Sequence, residues 1–97
     1  MFVRSYEVMF ILKPELEEAE VEKISNDFVE LIKKDGEVEK VTSWGKRRFA
    51  YPINHVDEGY YQIINFKTST KNLQEVERRL SIHDSVIRHM IVRTDES

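Results

Sequence analysis

The chain has 97 residues, of which 40% are hydrophobic and 34% charged, and it contains no cysteine. That is enough chain for one domain with its own core, and it excludes disulfides, thiol catalysis and thiolate metal sites. The formal net charge of -3 argues as an average against a nucleic-acid partner, but phosphate responds to local charge, and the charge is partitioned. From Lys13 to Gly36 eight acids face four lysines. From Trp44 to His55 there are three cations and no acid, and from Arg78 to Arg93 four arginines and one acid, Asp84.

The first element is a strand over about residues 4–12. RSYEVMFIL is β-branched and aromatic and stops at Lys13-Pro14. Its alternation puts Tyr6, Val8, Phe10 and Leu12 on one face and Glu7, Met9 and Ile11 on the other. Residues 15–35 read as a helix, with Val21, Ile24, Phe28 and Leu31 or Ile32 at helical spacing. Acids crowd its first turns, Lys33 and Lys34 its last, and Gly36 is placed to cap it. Residues 37–53 read as a long strand in which Val38 and Val41 are out of phase with Phe49, Tyr51 and Ile53. A bulge near Ser43-Trp44-Gly45 restores the phase, and Pro52, which cannot donate to a ladder, places this strand at a sheet edge. A polar loop, 54–59, leads to a third strand over about 60–67. Ser69 or Thr70 caps a second helix over about 70–82, with Leu73, Val76 and Leu80 inward. A fourth strand, about 86–93, precedes a short polar tail, 94–97. One domain over residues 1–97 is expected.

The order β-α-β-β-α-β predicts an α+β, ferredoxin-like fold: a four-stranded antiparallel sheet with two helices on one face. A solvated free face should be polar. Here both faces of the central strands carry apolar residues, with Met9, Ile11, Tyr61 and Ile63 candidates for the free one. An apolar patch of this kind predicts a partner surface, to which Trp44 is added. In the fourth strand, simple alternation sets Val86, Met90 and Val92 against Ile87 and Ile91.

Catalysis has little support. His55, His83 and His89 lack a companion at ligand spacing, and no P-loop, Gly-x-Gly-x-x-Gly or Gly-x-Ser-x-Gly motif occurs. No metal and no cofactor is expected. The stretch WGKRRFAYPI points elsewhere. Lys46 and Arg48 share one strand face and Arg47 takes the other, so the edge can grip a phosphate backbone from both sides. Trp44, Phe49 and Tyr51 fit stacking on unpaired bases or a place in the core. By charge alone, phosphate binding and an edge charged against aggregation are evenly matched. The strand-three stretch Glu58-Gly59-Tyr60-Tyr61-Gln62 departs from the base-Gly-aromatic-small-aromatic signature of RNA-recognition motifs at three positions, which argues against that mode of base stacking. MFVRSYEVMF lacks the pattern of a signal peptide and no apolar run approaches a membrane span, so a cytoplasmic protein is expected.

Three stretches carry a family resemblance: Arg4-Ser5-Tyr6-Glu7-Val8, WGKRRFAYPI from Trp44, and Val86-Ile87-Arg88-His89-Met90-Ile91-Val92, with Gly59-Tyr60 opening strand three. Over nearly its whole length the chain resembles the family of the sixth protein of the bacterial small ribosomal subunit. Members often begin Met-Arg-x-Tyr-Glu, whereas here Phe2-Val3 are inserted. The resemblance implies a ribosomal structural protein with no reaction catalysed. It implies binding to the central domain of 16S ribosomal RNA, together with the eighteenth protein of the same subunit, in assembly of the platform. Carried over by position, Arg4, Lys46, Arg47, Arg48, Arg88, His89 and Arg93 become the RNA-facing candidates. The alternative from another class is a ligand-binding or catalytic ferredoxin-like domain that self-associates through its open sheet face.

Overall fold

Alternation in the first strand decides how the sheet meets its helices. The computed structural model describes residues 3–53 and 56–95, and only the backbone of residues 49–53, 56 and 57. In β1 (Val3–Leu12) the side chains of Tyr6, Val8, Phe10 and Leu12 are buried under the helices. The element order is β1, α1 (Glu18–Lys33), β2 (Gly36–Ile53), β3 (Val56–Ser69), α2 (Thr70–Ile82) and β4 (Val86–Arg93). One antiparallel sheet in the order β2-β3-β1-β4 results, the ferredoxin-like architecture expected from the sequence. β1 and β3 are central. β2, with Pro52, is an edge.

The core lies between this sheet and the two helices. Phe10, Ile64 and Phe66 from the sheet meet Phe28 and Ile32 of α1 and Val76 and Leu80 of α2. The Phe10 and Phe28 rings lie 5.4 Å apart in a tilted pair, a favourable aromatic geometry. Polar side chains are admitted where they are paired. Gln62, only 2% exposed, accepts from Ser25 Oγ at 3.0 Å and donates through Nε2 to Ser43 Oγ at 2.8 Å. It thereby joins α1 to β2 through β3.

The helix ends depart from expectation. α1 starts at Glu18 rather than Glu15, and the Glu17 N–H donates to Glu20 Oε1 at 3.0 Å, closing the first turn by a capping-box bond. Gly36 is no helix cap. It opens β2 opposite Thr68, and a Cβ there would collide with the Lys67 carbonyl oxygen. The last carbonyls of α1 accept from Lys34 N and Asp35 N and are met in addition from the other helix. Asn72 Nδ2 lies 3.4 Å from Leu31 O and 3.3 Å from Ile32 O. Ser69 caps α2, accepting from Asn72 N at 3.2 Å, and its hydroxyl donates to the Asp35 carboxylate. The C-terminus of α1 and the N-terminus of α2 are therefore locked to each other, which satisfies groups that every helix end leaves orphaned.

Two strand details differ from simple alternation. β3 begins at Val56, because pairing continues through Arg48↔Glu58 and Arg47↔Gly59, where a polar loop was expected. In β4 the register slips between Ile11 and Leu12 of the neighbouring β1. Val86 thus joins the core with Ile91, while Arg88, Met90 and Val92 pair with open-face residues of β1.

Candidate nucleic-acid interface

Two irregularities in β2 build the basic edge. The register shifts between Val38 and Lys40, then between Ser43 and Gly45. Each shift adds one residue to β2, so Val38 and Val41 both pair with residues of the helix-covered face, Phe66 and Ile64. The second bulge carries Gly45 at φ 75, a left-handed conformation that favours glycine. It is the bulge expected from Ser43-Trp44-Gly45. The extra residue, Trp44, is turned onto the open face, where its indole stacks on Tyr61 with centroids 6.1 Å apart and planes at 20°.

Beyond the bulge, alternation resumes. Lys46 pairs with Tyr60 and Arg48 with Glu58 on the helix-covered side, and Arg47 pairs with Gly59 on the open side. The Lys46 ammonium sits 5.2 Å from the centre of the Tyr60 ring, a cation–π contact. Arg47 Nε donates to Trp44 O at 3.0 Å, which pins the guanidinium beside the indole. All three cations are exposed, and none makes an ion pair with a described residue. Some other cations are neutralised, Arg78 and Arg79 by Glu75 at 2.9 and 3.0 Å and half-buried Lys67 by Glu39 at 3.7 Å.

The remaining RNA-facing candidates lie elsewhere. Arg88 and His89 are on the opposite edge, β4, about 14 Å away at three strand spacings. Arg88 pairs with Ile11 on the open face, and half-buried His89 pairs with Phe10 on the other. Arg4 and Arg93 sit at the far end of the sheet, about 25 Å along the strands from Lys46. Arg93 is held by Asp95 at 2.8 Å, and its guanidinium keeps that carboxyl below its ordinary range. The seven candidates thus form three groups, of which the β2 trio is the largest. Phe49, Tyr51 and His55 fall outside the described side chains.

The residues expected to face a protein partner lie side by side. Met9 pairs with Ile63, Ile11 with Tyr61, and Trp44 lies on Tyr61, all on the face that lacks helices. Ile11 is the exception in accessibility. Its neighbours seal it to 3% exposure, so it offers a partner almost no area. Met90 and Val92, at 45% and 46% exposure, extend the patch instead. Their spacing in the sequence carried this signal, although alternation wrongly grouped Val86 with them.

No catalytic constellation accompanies these surfaces among the described residues. His83 is used structurally: its Nδ1 accepts from Ser85 N at 3.1 Å and its ring packs on Phe28 at 5.9 Å. No group of three or more His, Asp or Glu among the described residues could hold a metal. Among the described residues the one carboxyl pushed far from its ordinary value, Glu75 at about 2, is explained by the hydrogen bond from Arg78 and then by Arg79. No helix is long and apolar enough to cross a membrane.

Fold and surface together define a ferredoxin-like binding module with a basic edge and an apolar open face. The ribosomal protein S6 family profile matches residues 5–93. The chain is 47% identical to small ribosomal subunit protein bS6 of Carboxydothermus hydrogenoformans, covering 97% of this chain and 99% of the relative. It is 46% identical to bS6 of Corynebacterium aurimucosum, covering 96% and 98%. The crystal structure of 30S ribosomal protein S6 from Thermotoga maritima superposes with a TM-score of 0.90 at 35% identity, covering 96% of this chain and 89% of that one. The chain belongs to the ribosomal protein S6 family. It is therefore a structural, non-enzymatic component of the small ribosomal subunit, which places it in the cytoplasm with the ribosome.

Proposed function

We propose that the protein binds the central domain of 16S ribosomal RNA together with the eighteenth protein of the small subunit, and so supports assembly of the platform. One observation carries the RNA reading: Lys46, Arg47 and Arg48 are exposed cations on both faces of an edge strand, and none makes an ion pair with a described residue. A guanidinium already bridged to a carboxylate has little left for phosphate, whereas this trio keeps its charge available. Five of the 18 acids of the chain sit on α1, away from the open face. Arg88 extends the contact at the opposite edge, with His89 beside it, and Arg4 extends it at the far end, where Arg93 joins only on leaving Asp95. Met9 and Ile63, with Met90 and Val92, give the protein partner an apolar landing area, at whose margin Trp44, Tyr61 and Ile11 lie.

The test is the salt dependence of binding to a central-domain fragment. Each lost phosphate contact flattens the slope of log affinity against log salt by about 0.7–0.9. Arg47→Glu with Arg48→Glu should flatten it by at least about 1.5, so the deficit of the variant narrows roughly tenfold over a fourfold rise in salt. Unchanged affinity and slope would remove this segment from the RNA interface.

A further inference from the structure

We infer that Trp44, Tyr61 and Arg47 form a receptor for one unpaired nucleotide, its base stacked on the indole and its phosphate held by the guanidinium. The inference rests on the RNA reading above and adds to it a mode of contact. These three residues line one shallow concavity on the open face. Trp44 is stacked on Tyr61 with one ring face, yet the residue keeps 49% exposure, so the other face is available to a flat ligand. A base is such a ligand, and stacking on an aromatic needs no particular sequence.

The guanidinium supplies the second half. Arg47 spends Nε on the Trp44 carbonyl, and neither Nη makes a hydrogen bond or ion pair with a described residue. A cation fixed by its own inner edge and open at its fork is preorganised for a phosphate oxygen. The bulge enforces this pairing, because Gly45 at φ 75 is what sets Trp44 and Arg47 on the same face.

The departure of strand three from the RNA-recognition signature does not oppose stacking here. The two stacking positions of that signature fall on Tyr60 and Gln62. Both face the helices and are buried, at 9% and 2% exposure. That signature is therefore turned away from the open face, and the platform comes from β2 across to Tyr61. A purely apolar protein partner would bury Trp44 equally well but would leave the fork of Arg47 without an anion.

Trp44 is the single tryptophan of the chain, so its fluorescence, selectively excited, reports this site. The probe is a central-domain fragment of 16S ribosomal RNA, titrated into the full chain with and without the eighteenth protein. The expected result is quenching by the RNA. Trp44→Ala should weaken RNA affinity roughly five- to a hundredfold, with Trp44→Phe between the two and the salt slope unchanged in both. Quenching absent and Trp44→Ala equal to wild type, while Arg47→Glu with Arg48→Glu still weakens binding, would overturn the receptor and leave the RNA reading standing. Loss of partner binding in Trp44→Ala with RNA affinity intact would assign the site to protein and also overturn it. Failure of the wild type to bind RNA at all would reject both readings. Trp44 lies on an exposed edge bulge, and a urea melt of each variant checks that the fold is retained.

Discussion

Gly36 and Gly45 are required for opposite reasons, and exchanging each for alanine and asparagine separates them. At Gly36 no backbone strain is involved. A Cβ would strike the Lys67 carbonyl oxygen and come within 2.9 Å of Thr68 Cβ and Oγ1. The obstruction is the ladder itself, so β2 must move away from β3. Overpacking costs about 1–3 kcal/mol, and the rigid obstacle puts the cost near the top. Stiffening the unfolded chain offsets about 0.4–1 kcal/mol. The net loss for Gly36→Ala is about 2 kcal/mol, or roughly a 10 °C fall in Tm for a domain of this size, and Gly36→Asn should be worse. At Gly45 nothing lies within 4 Å of the added Cβ, but φ is +75. Gly45→Ala then costs about 1 kcal/mol of left-handed strain after the same offset. Gly45→Asn should recover part of it, since asparagine tolerates that region. Urea denaturation at constant m reads all four variants. The reasoning fails if Gly36→Ala is as stable as wild type, or if asparagine ranks the same relative to alanine at both sites.

Gln62→Leu should destabilise the fold by about 1–3 kcal/mol, because it orphans the Ser25 hydroxyl, a residue only 5% exposed. Adding Ser25→Ala should restore part of that loss in the same urea assay, and a neutral single variant would contradict the network. Arg78 and Arg79 lower the Glu75 carboxyl to about 2 from the ordinary 4.5. The folded value lies below the unfolded one, so this contribution to stability is present above about 4.5 and is lost as pH falls from there towards 2. NMR titration of the Glu75 carboxyl should show that low midpoint, and Arg78→Ala should raise it. A wild-type midpoint near the ordinary value would contradict the pairing.

The sequence exposed the architecture wherever a period ran undisturbed. Tyr6, Val8, Phe10 and Leu12 in β1 and Val76 and Leu80 in α2 needed nothing beyond spacing. It misled where tertiary contacts act. Gly36 looks like a helix cap, yet its glycine is demanded by Lys67, a residue distant in the chain. The carbonyls it was expected to satisfy are met by Lys34 N and Asp35 N, with Asn72 added from the other helix. The slip beside Ile11 that turns Val86 inward has no glycine or proline to announce it. In β2, Gly45 did announce the bulge, and the opposition of Arg47 to Lys46 and Arg48 could be read, but which of them faces the helices could not, because that depends on the pairing with β3. Which cations remain unneutralised could not be read, because Arg78 and Arg79 look as basic as Arg47 and Arg48 until Glu75 is seen between them.

The central claim is that RNA and a protein partner are bound together by surfaces on one sheet. Its most direct test is the affinity of the full chain for a central-domain fragment of 16S ribosomal RNA, measured at fixed salt with and without the eighteenth protein. Weak binding alone and markedly tighter binding with the partner is the expected result, with the gain reduced when Met9 or Met90 on the open face is changed to Asp. Equal affinity in the presence and absence of the partner would contradict it.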